Sequence, residues 1–229
     1  TNRLLARLVS AAAVTYSESI SFFGGKAFVS GNPVRPEFFG EAYEQHDSPP
    51  GAARVLVFGG SQGAHAINMA MVEAAARLAA ASPRVAITHQ TGERDLEVVR
   101  DGYRRAGLEA RVEPFLFTMD REMKLADVVV CRSGATTLAE LTAARRASIL
   151  VPFPGATDDH QRKNADVLVK QGAARMVEQR ELTGDRLSTE ILALAADADM
   201  RRQIAEAAGR LAKPDAARVI VDKVLEMAK

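Results

Sequence analysis

Val55-Leu56-Val57-Phe58-Gly59-Gly60-Ser61-Gln62-Gly63 decides how the rest of the chain is read. Four consecutive apolar residues describe a strand buried on both faces, because a strand with one wet face alternates apolar with polar. Glycines 59, 60 and 63 end the strand in a tight turn. From residue 64 to 81, Ile67, Met71, Val72 and Leu78 fall on roughly one side, so a helix follows. Strand, glycine turn and helix in that order open a βαβ unit.

The alternation continues downstream. Apolar runs at 85–88, 110–113, 127–131, 148–151 and 174–177 read as strands. Helical patterns separate them at 93–106, 120–126, 136–144 and 160–171, and three more follow near 186–195, 199–211 and 215–227. Buried strands joined by helices require a parallel sheet covered on both faces. Right-handed crossovers make it a Rossmann-like, doubly wound α/β sheet. In such sheets ligands lie at the carboxyl ends of the strands, so chemistry is sought in the turns that leave them.

Upstream the pattern is weaker. Leu4, Leu5, Leu8 and Val9 recur at helical spacing, which predicts an amphipathic helix interrupted by Arg3 and Arg7. It lacks the long apolar stretch and small-residue cleavage site of a secretory signal. The chain has no initiator methionine and begins inside this pattern, so the expectation is an incomplete first domain. Residues 12–16 and 26–29 are short β-prone runs. Ser30-Gly31-Asn32-Pro33-Val34-Arg35-Pro36 then reads as a connection, since its prolines fit neither a helix interior nor a central strand. The polar stretch 40–52, with Pro49-Pro50-Gly51, reads as a loop or linker.

Composition narrows the function classes. Of 229 residues, 47 % are apolar and 26 % charged, an ordinary globular mixture. Thirty basic and 29 acidic side chains leave a net charge of +1, without the concentrated basic face that nucleic acid requires. No apolar run approaches the ~18 to 20 residues that span a bilayer. Cys131 is the only cysteine, so no intrachain disulfide forms and a reducing compartment fits.

Three turns are candidate ligand sites. Gly59–Gly63 can bring backbone amides and a helix start to a phosphate, with Ser61 adding a hydroxyl, or can be a plain tight turn. It is not a P-loop, because Ala64-His65 stands where Lys-Ser/Thr is needed. Its glycine spacing differs from the dinucleotide fingerprint, and the second strand ends in Thr88-His89-Gln90 without a ribose-binding carboxylate. NAD and ATP are thereby disfavoured. The second turn, Cys131-Arg132-Ser133-Gly134-Ala135-Thr136-Thr137-Leu138-Ala139-Glu140, opens another helix on the same sheet edge. Glu140 there can accept two hydrogen bonds from a ribose diol, or can simply complement the helix dipole. The third runs from Val151 to Asn164. Asp158 or Asp159 can cap the helix that follows it. Gln161 and Asn164 can read sugar hydroxyls or an N-acetyl amide, or can be ordinary surface polarity. His65, His89 and His160 are too scattered for a metal site. The residues alone describe a nucleoside-diphosphate binder without visible catalytic machinery.

The ordered set of motifs resembles the C-terminal domain of the MurG family. The matching stretches are Gly31-Asn32-Pro33-Val34-Arg35, Gly59–Ala64, His89-Gln90-Thr91-Gly92, Ala126–Ala135, Leu138-Ala139-Glu140 and Asp159–Ala165, spread over nearly the whole chain. The resemblance implies the C-terminal half of a GT-B glycosyltransferase. It implies an inverting, metal- and cofactor-independent transfer of N-acetylglucosamine from UDP-N-acetylglucosamine to lipid I, giving lipid II at the cytoplasmic face of the bacterial inner membrane. By position it puts Arg35 and Ser61 on the donor, Leu116 against the uracil through its backbone, Ala135, Thr136, Thr137, Leu138, Ala139 and Glu140 on phosphate and ribose, and Gln161 on the sugar. It divides the chain into an N-terminal-domain remnant (1–34), a donor domain (35–212) and a final helix (213–229) that returns to the first domain. Phe117-Thr118 departs from the acidic pair of many relatives. The family's N-terminal glycine loop with its histidine has no counterpart here, so the expectation is a donor-binding part inactive alone. The alternatives are a natural donor-binding subunit of a two-chain transferase and a non-enzymatic nucleotide-binding module.

Overall fold

The computed structural model describes residues 6–39, 52–60, 63–156 and 159–228. Two short strands, β1 (Ala12–Val14) and β2 (Ala27–Val29), pair in parallel across the single-turn helix α1 (Ile20–Phe23). The central sheet has six parallel strands: β3 (Ala52–Phe58), β4 (Arg84–Gln90), β5 (Ala110–Glu113), β6 (Val128–Cys131), β7 (Ala147–Leu150) and β8 (Arg175–Met176). Their order is β5-β4-β3-β6-β7-β8. The chain thus winds from β3 to one edge, then returns to the other side of β3. Strand order reverses between β3 and β6, where a doubly wound sheet opens its ligand crevice.

Successive side chains of a strand point to opposite faces, and here both faces are buried. Val55, Val57, Val128, Val130 and Ile149 pack beneath α2 (His65–Ala79), α3 (Leu96–Ala106) and α7 (Gly184–Ala196). Leu56, Phe58, Val129, Cys131 and Leu150 pack beneath α4 (Met119–Leu125), α5 (Ala135–Ala144) and α6 (His160–Lys170). Helix α8 (Ala198–Leu211) closes the sheet with Ile204 in the first cluster and Ala207 and Ala208 in the second. Helix α9 (Ala216–Met227) buries Ala216 but leaves Val221, Val224 and Leu225 exposed.

The Rossmann-like reading holds strand for strand, with ends shifted by up to three residues. Four local expectations do not hold as stated. Residues 6–8 form a turn instead of continuing a helix, and Leu8 is 78 % exposed. Leu4 and Leu5, which carry half of that pattern, lie outside the described residues, and the exposed Leu8 supplies no packing to stabilise a helix there. The helix predicted from residue 93 starts as a 3-10 turn, Glu93–Asp95, before α3. Asp159 occupies the N-cap position of α6 in a left-handed conformation (φ 55°), and its side chain makes no capping bond. Of the loop expected at 40–52, Ala52 instead opens β3, while residues 40–51 and the alternative cap Asp158 lie outside the described residues.

Candidate functional site

Register brings the first two turns together. Phe58, the last residue of β3, lies opposite Cys131, the last residue of β6. The glycine turn and the Arg132–Gly134 turn therefore leave neighbouring parallel strands at the same level. The glycines of the first turn are there for different reasons. A Cβ on Gly59 would stand 2.2 Å from that of Ala64, and one on Gly63 would stand 1.8 Å from the Thr91 carbonyl oxygen. Both admit only hydrogen. Gly60 instead needs its φ of 93° and has no described atom within 4 Å of a built Cβ. The Gly63 N–H closes the turn on the Gly60 carbonyl at 3.0 Å. Ser61 and Gln62 lie outside the described residues.

A buried polar network supports this turn from the β4 side. His89 is fully buried, with Nδ1 2.7 Å from the Tyr103 hydroxyl and Nε2 3.0 Å from Asn68 Oδ1. Asn68 donates to the Thr91 carbonyl (2.9 Å) and to Asp95 (2.8 Å), and Asp95 also holds His65 Nδ1 at 3.0 Å. Burial lowers the His89 pKa to about 3 despite the opposing charge of Asp95. Burial works to raise the Asp95 pKa, but hydrogen bonds from Asn68 and His65 and the charges of His65 and Arg94 hold it below the usual carboxylate range. Next to this network Gln90 donates to the Gly60 carbonyl at 3.0 Å and accepts from the Leu116 N–H at 2.8 Å. The Leu116 side chain is buried, whereas Phe117 beside it is 89 % exposed and meets Phe115 edge to face.

On the other side of the crevice Gly134 is the N-cap of α5, and no side chain caps it. The first amides of α5, from Ala135 onward, are the orphan donors of a helix start. Thr136 is exposed, and its hydroxyl accepts from Asn32 Nδ2 at 3.2 Å. Leu138 is fully buried, so only its backbone can face a ligand, and Ala139 is half-buried. Burial raises the Glu140 pKa, while the charge of Arg35 opposes that rise. The structure thus brings together Arg35 and Glu140, which lie 105 positions apart in sequence. Arg35 itself rests over the Phe38 ring, 5.2 Å from its centroid.

The third turn is braced against the second. Arg132 donates to the carbonyls of Val151 (3.0 Å) and Pro152 (3.2 Å) and to Gln179 Oε1 (2.7 Å), and stacks over Phe153. Burial lowers its pKa to about 10, with the Cys131 thiol opposing. Ser133 Oγ donates to the Gln161 carbonyl at 2.8 Å, and Asn164 donates to the Ser133 carbonyl at 3.2 Å. Gln161 Oε1 accepts from the Phe153 N–H at 3.0 Å, which leaves its Nε2 to donate elsewhere. Asn164 is thereby a brace for the turn.

Sequence reading missed Gln90, Asn32 and the wiring of Arg132. Each lies in a quoted motif, but their partners are 26, 104 and 47 positions away. Only the pairing of strands reveals such contacts. Among the described residues no cluster of metal-ligating side chains occurs.

Comparison with known proteins agrees with this arrangement. A curated N-acetylglucosamine transferase from Pelobacter propionicus, whose full name gives UDP-N-acetylglucosamine and N-acetylmuramyl-(pentapeptide) pyrophosphoryl-undecaprenol, is 48 % identical over 246 residues. The match covers 98 % of this chain and 65 % of the relative. A protein of the same name from Anaeromyxobacter dehalogenans strain 2CP-C is 49 % identical over 230 residues, covering 100 % and 60 %. The chain therefore spans a little under two thirds of these relatives' length. Among solved structures, Acinetobacter baumannii MurG superposes with a TM-score of 0.83 at 30 % identity, covering 99 % of this chain and 64 % of that one. The MurG resemblance drawn from the motifs holds, and the sheet is the Rossmann-like half of a GT-B fold. The family model described as the glycosyltransferase family 28 C-terminal domain matches residues 54–220, most of the chain, and the protein belongs to that family.

Proposed function

We propose that this chain holds UDP-N-acetylglucosamine, as the donor-binding part of a glycosyltransferase that passes N-acetylglucosamine to lipid I and forms lipid II in peptidoglycan synthesis. The observation that carries the reading is the register of Phe58 with Cys131, which aims two helix-opening turns at one crevice. Two adjacent helix starts suit the two phosphoryl groups of a diphosphate. The names of the transferases that share nearly half of this sequence supply the sugar and the acceptor.

In this reading Ser61 and the α5 start from Ala135 to Thr137 hold the diphosphate, with Leu138 and Ala139 contributing backbone. Glu140 accepts from the ribose hydroxyls and Arg35 approaches the donor beside it. The Leu116 backbone meets the uracil, and Gln161 offers its Nε2 to the sugar. Transfer forms a bond from an acceptor hydroxyl, whose proton passes to a general base of the acceptor domain, to the anomeric carbon and breaks the bond to the β-phosphate, inverting the centre. Negative charge grows on departing UDP, so amides fixed at the helix starts stabilise the transition state more than the bound sugar. The donor domain is residues 35–212, residues 1–34 are a remnant of an acceptor domain, and the final helix, 213–229, packs back on that domain. Lipid I places the whole enzyme on the cytoplasmic side of a membrane as a peripheral protein. Among the described residues no helix is long and apolar enough to cross one.

Thermal-shift titration tests this. UDP-N-acetylglucosamine raises the melting temperature of the chain in a saturable way, more than UDP-N-acetylgalactosamine does, and NAD and ATP leave it unchanged. Stabilisation by NAD or ATP with none by the uridine nucleotide overturns the proposal.

A further inference from the structure

We propose that Gln90 is the positioning residue that couples the phosphate-facing turn to the base-facing turn and makes the latter select a base bearing an imide N–H. The inference rests on the uridine diphosphate reading of this edge. Gln90 ends β4 and is 2 % exposed. One end of its amide donates to the Gly60 carbonyl at 3.0 Å, and the other accepts from the Leu116 N–H at 2.8 Å. The orientation is fixed by chemistry: a backbone N–H only donates and a carbonyl only accepts, so turning the amide over leaves both pairings mismatched. In a buried position each mismatch is costly.

Two consequences follow for a bound nucleotide. With its N–H engaged by Gln90, the backbone group that Leu116 can offer a base is its carbonyl, an acceptor with two lone pairs. Uracil offers an N–H at ring position 3, whereas cytosine offers a lone pair there, so a fixed carbonyl welcomes the first and repels the second. The same side chain restrains the Gly60 peptide, which leads into the turn assigned to the diphosphate. Base and phosphate contacts are therefore positioned by one buried amide, and removing it loosens both.

Calorimetric titration of the 229-residue chain with UDP and CDP tests this. Gln90→Met keeps the volume and removes both hydrogen bonds. UDP affinity is expected to fall about tenfold or more, and the preference for UDP over CDP to collapse toward unity. A role in stability alone lowers both affinities together and leaves their ratio intact, and that outcome overturns the inference. Gln90→Glu separates the two bonds. Its carboxylate still accepts from Leu116 but cannot donate to Gly60, and only the protonated acid does both. This variant is expected to keep the preference for UDP while its UDP affinity rises as pH falls from about 8 to about 5. Should Gln90→Met fail to fold, a Gln90→Glu affinity that tracks the unmodified chain at every pH refutes the coupling. Failure of the unmodified chain to bind UDP sinks the nucleotide reading, and the Gln90 inference with it.

Discussion

His89 shows how much one residue can hide from sequence. It sits in β4 beside Gln90, and its two ring nitrogens are claimed by Tyr103 and Asn68. Its pKa, lowered by burial to about 3 from 6.5, ties stability to pH. The unfolded chain takes up a proton at this residue before the folded chain does. Stability from neutral His89 is therefore complete above about pH 6.5 and is lost as pH falls toward 3. Asp95, held low in the fold, acts in the same direction at the acid end. Urea melts between these pH values should show stability falling with a slope of up to about 1.4 kcal/mol per pH unit from this group. His89→Gln should flatten that slope from a lower starting stability; an unchanged slope would place the proton elsewhere. The candidate site divides along the same line. Glycines 59, 60 and 63, Glu140 and Gln161 were legible because their types carry chemistry at helix starts and turns. Gln90 and Asn32 were not, because an amide announces nothing until its partners are known.

At the level of elements, the alternation of strands and helices was legible because β6, β7 and the Val55–Phe58 part of β3 are buried on both faces. Val55-Leu56-Val57-Phe58 has no polar residue to spare, and the structure puts two side chains on each face. Before β1 the helical pattern is not realised at residues 6–8, because helical spacing of leucines says nothing about whether a surface exists to receive them. Close helix contacts were also invisible. Gly184, the first residue of α7, approaches α2 so tightly that a Cβ there would lie 2.5 Å from the Glu73 Cβ and 2.8 Å from the Ala74 nitrogen. Its N–H donates to the Glu73 carboxylate at 3.0 Å. Helix propensity favours alanine over glycine by about 1 kcal/mol. The obstruction includes backbone, which cannot swing aside, so we expect Gly184→Ala to destabilise by about 1–3 kcal/mol in denaturant melts. Gly25→Ala, where a Cβ meets nothing within 4 Å, should fall within about 0.5 kcal/mol of the unmodified chain. Equal stability of the two variants would mean that α2 and α7 shift apart freely.

Across the whole molecule, the sheet order concentrates function at one edge. Six strands run the same way, so every turn that carries a candidate residue emerges on one side, and β3 and β6 meet in the middle. The opposite ends of the strands carry none of the candidate positions. Arg132, Ser133 and Gln161 then lace the β6 and β7 turns together.

Cys131 closes the strand that meets the crevice, and it is fully buried, with burial pushing its thiol pKa far up. As the sole cysteine of the chain, it gives a silent background for chemical labelling. Maleimide should leave the native protein untouched and add one group per chain in urea, which makes mass spectrometry a direct count of unfolded molecules. A cysteine introduced at Phe117, 89 % exposed beside Leu116, should then accept a fluorophore alone and turn nucleotide arrival into light.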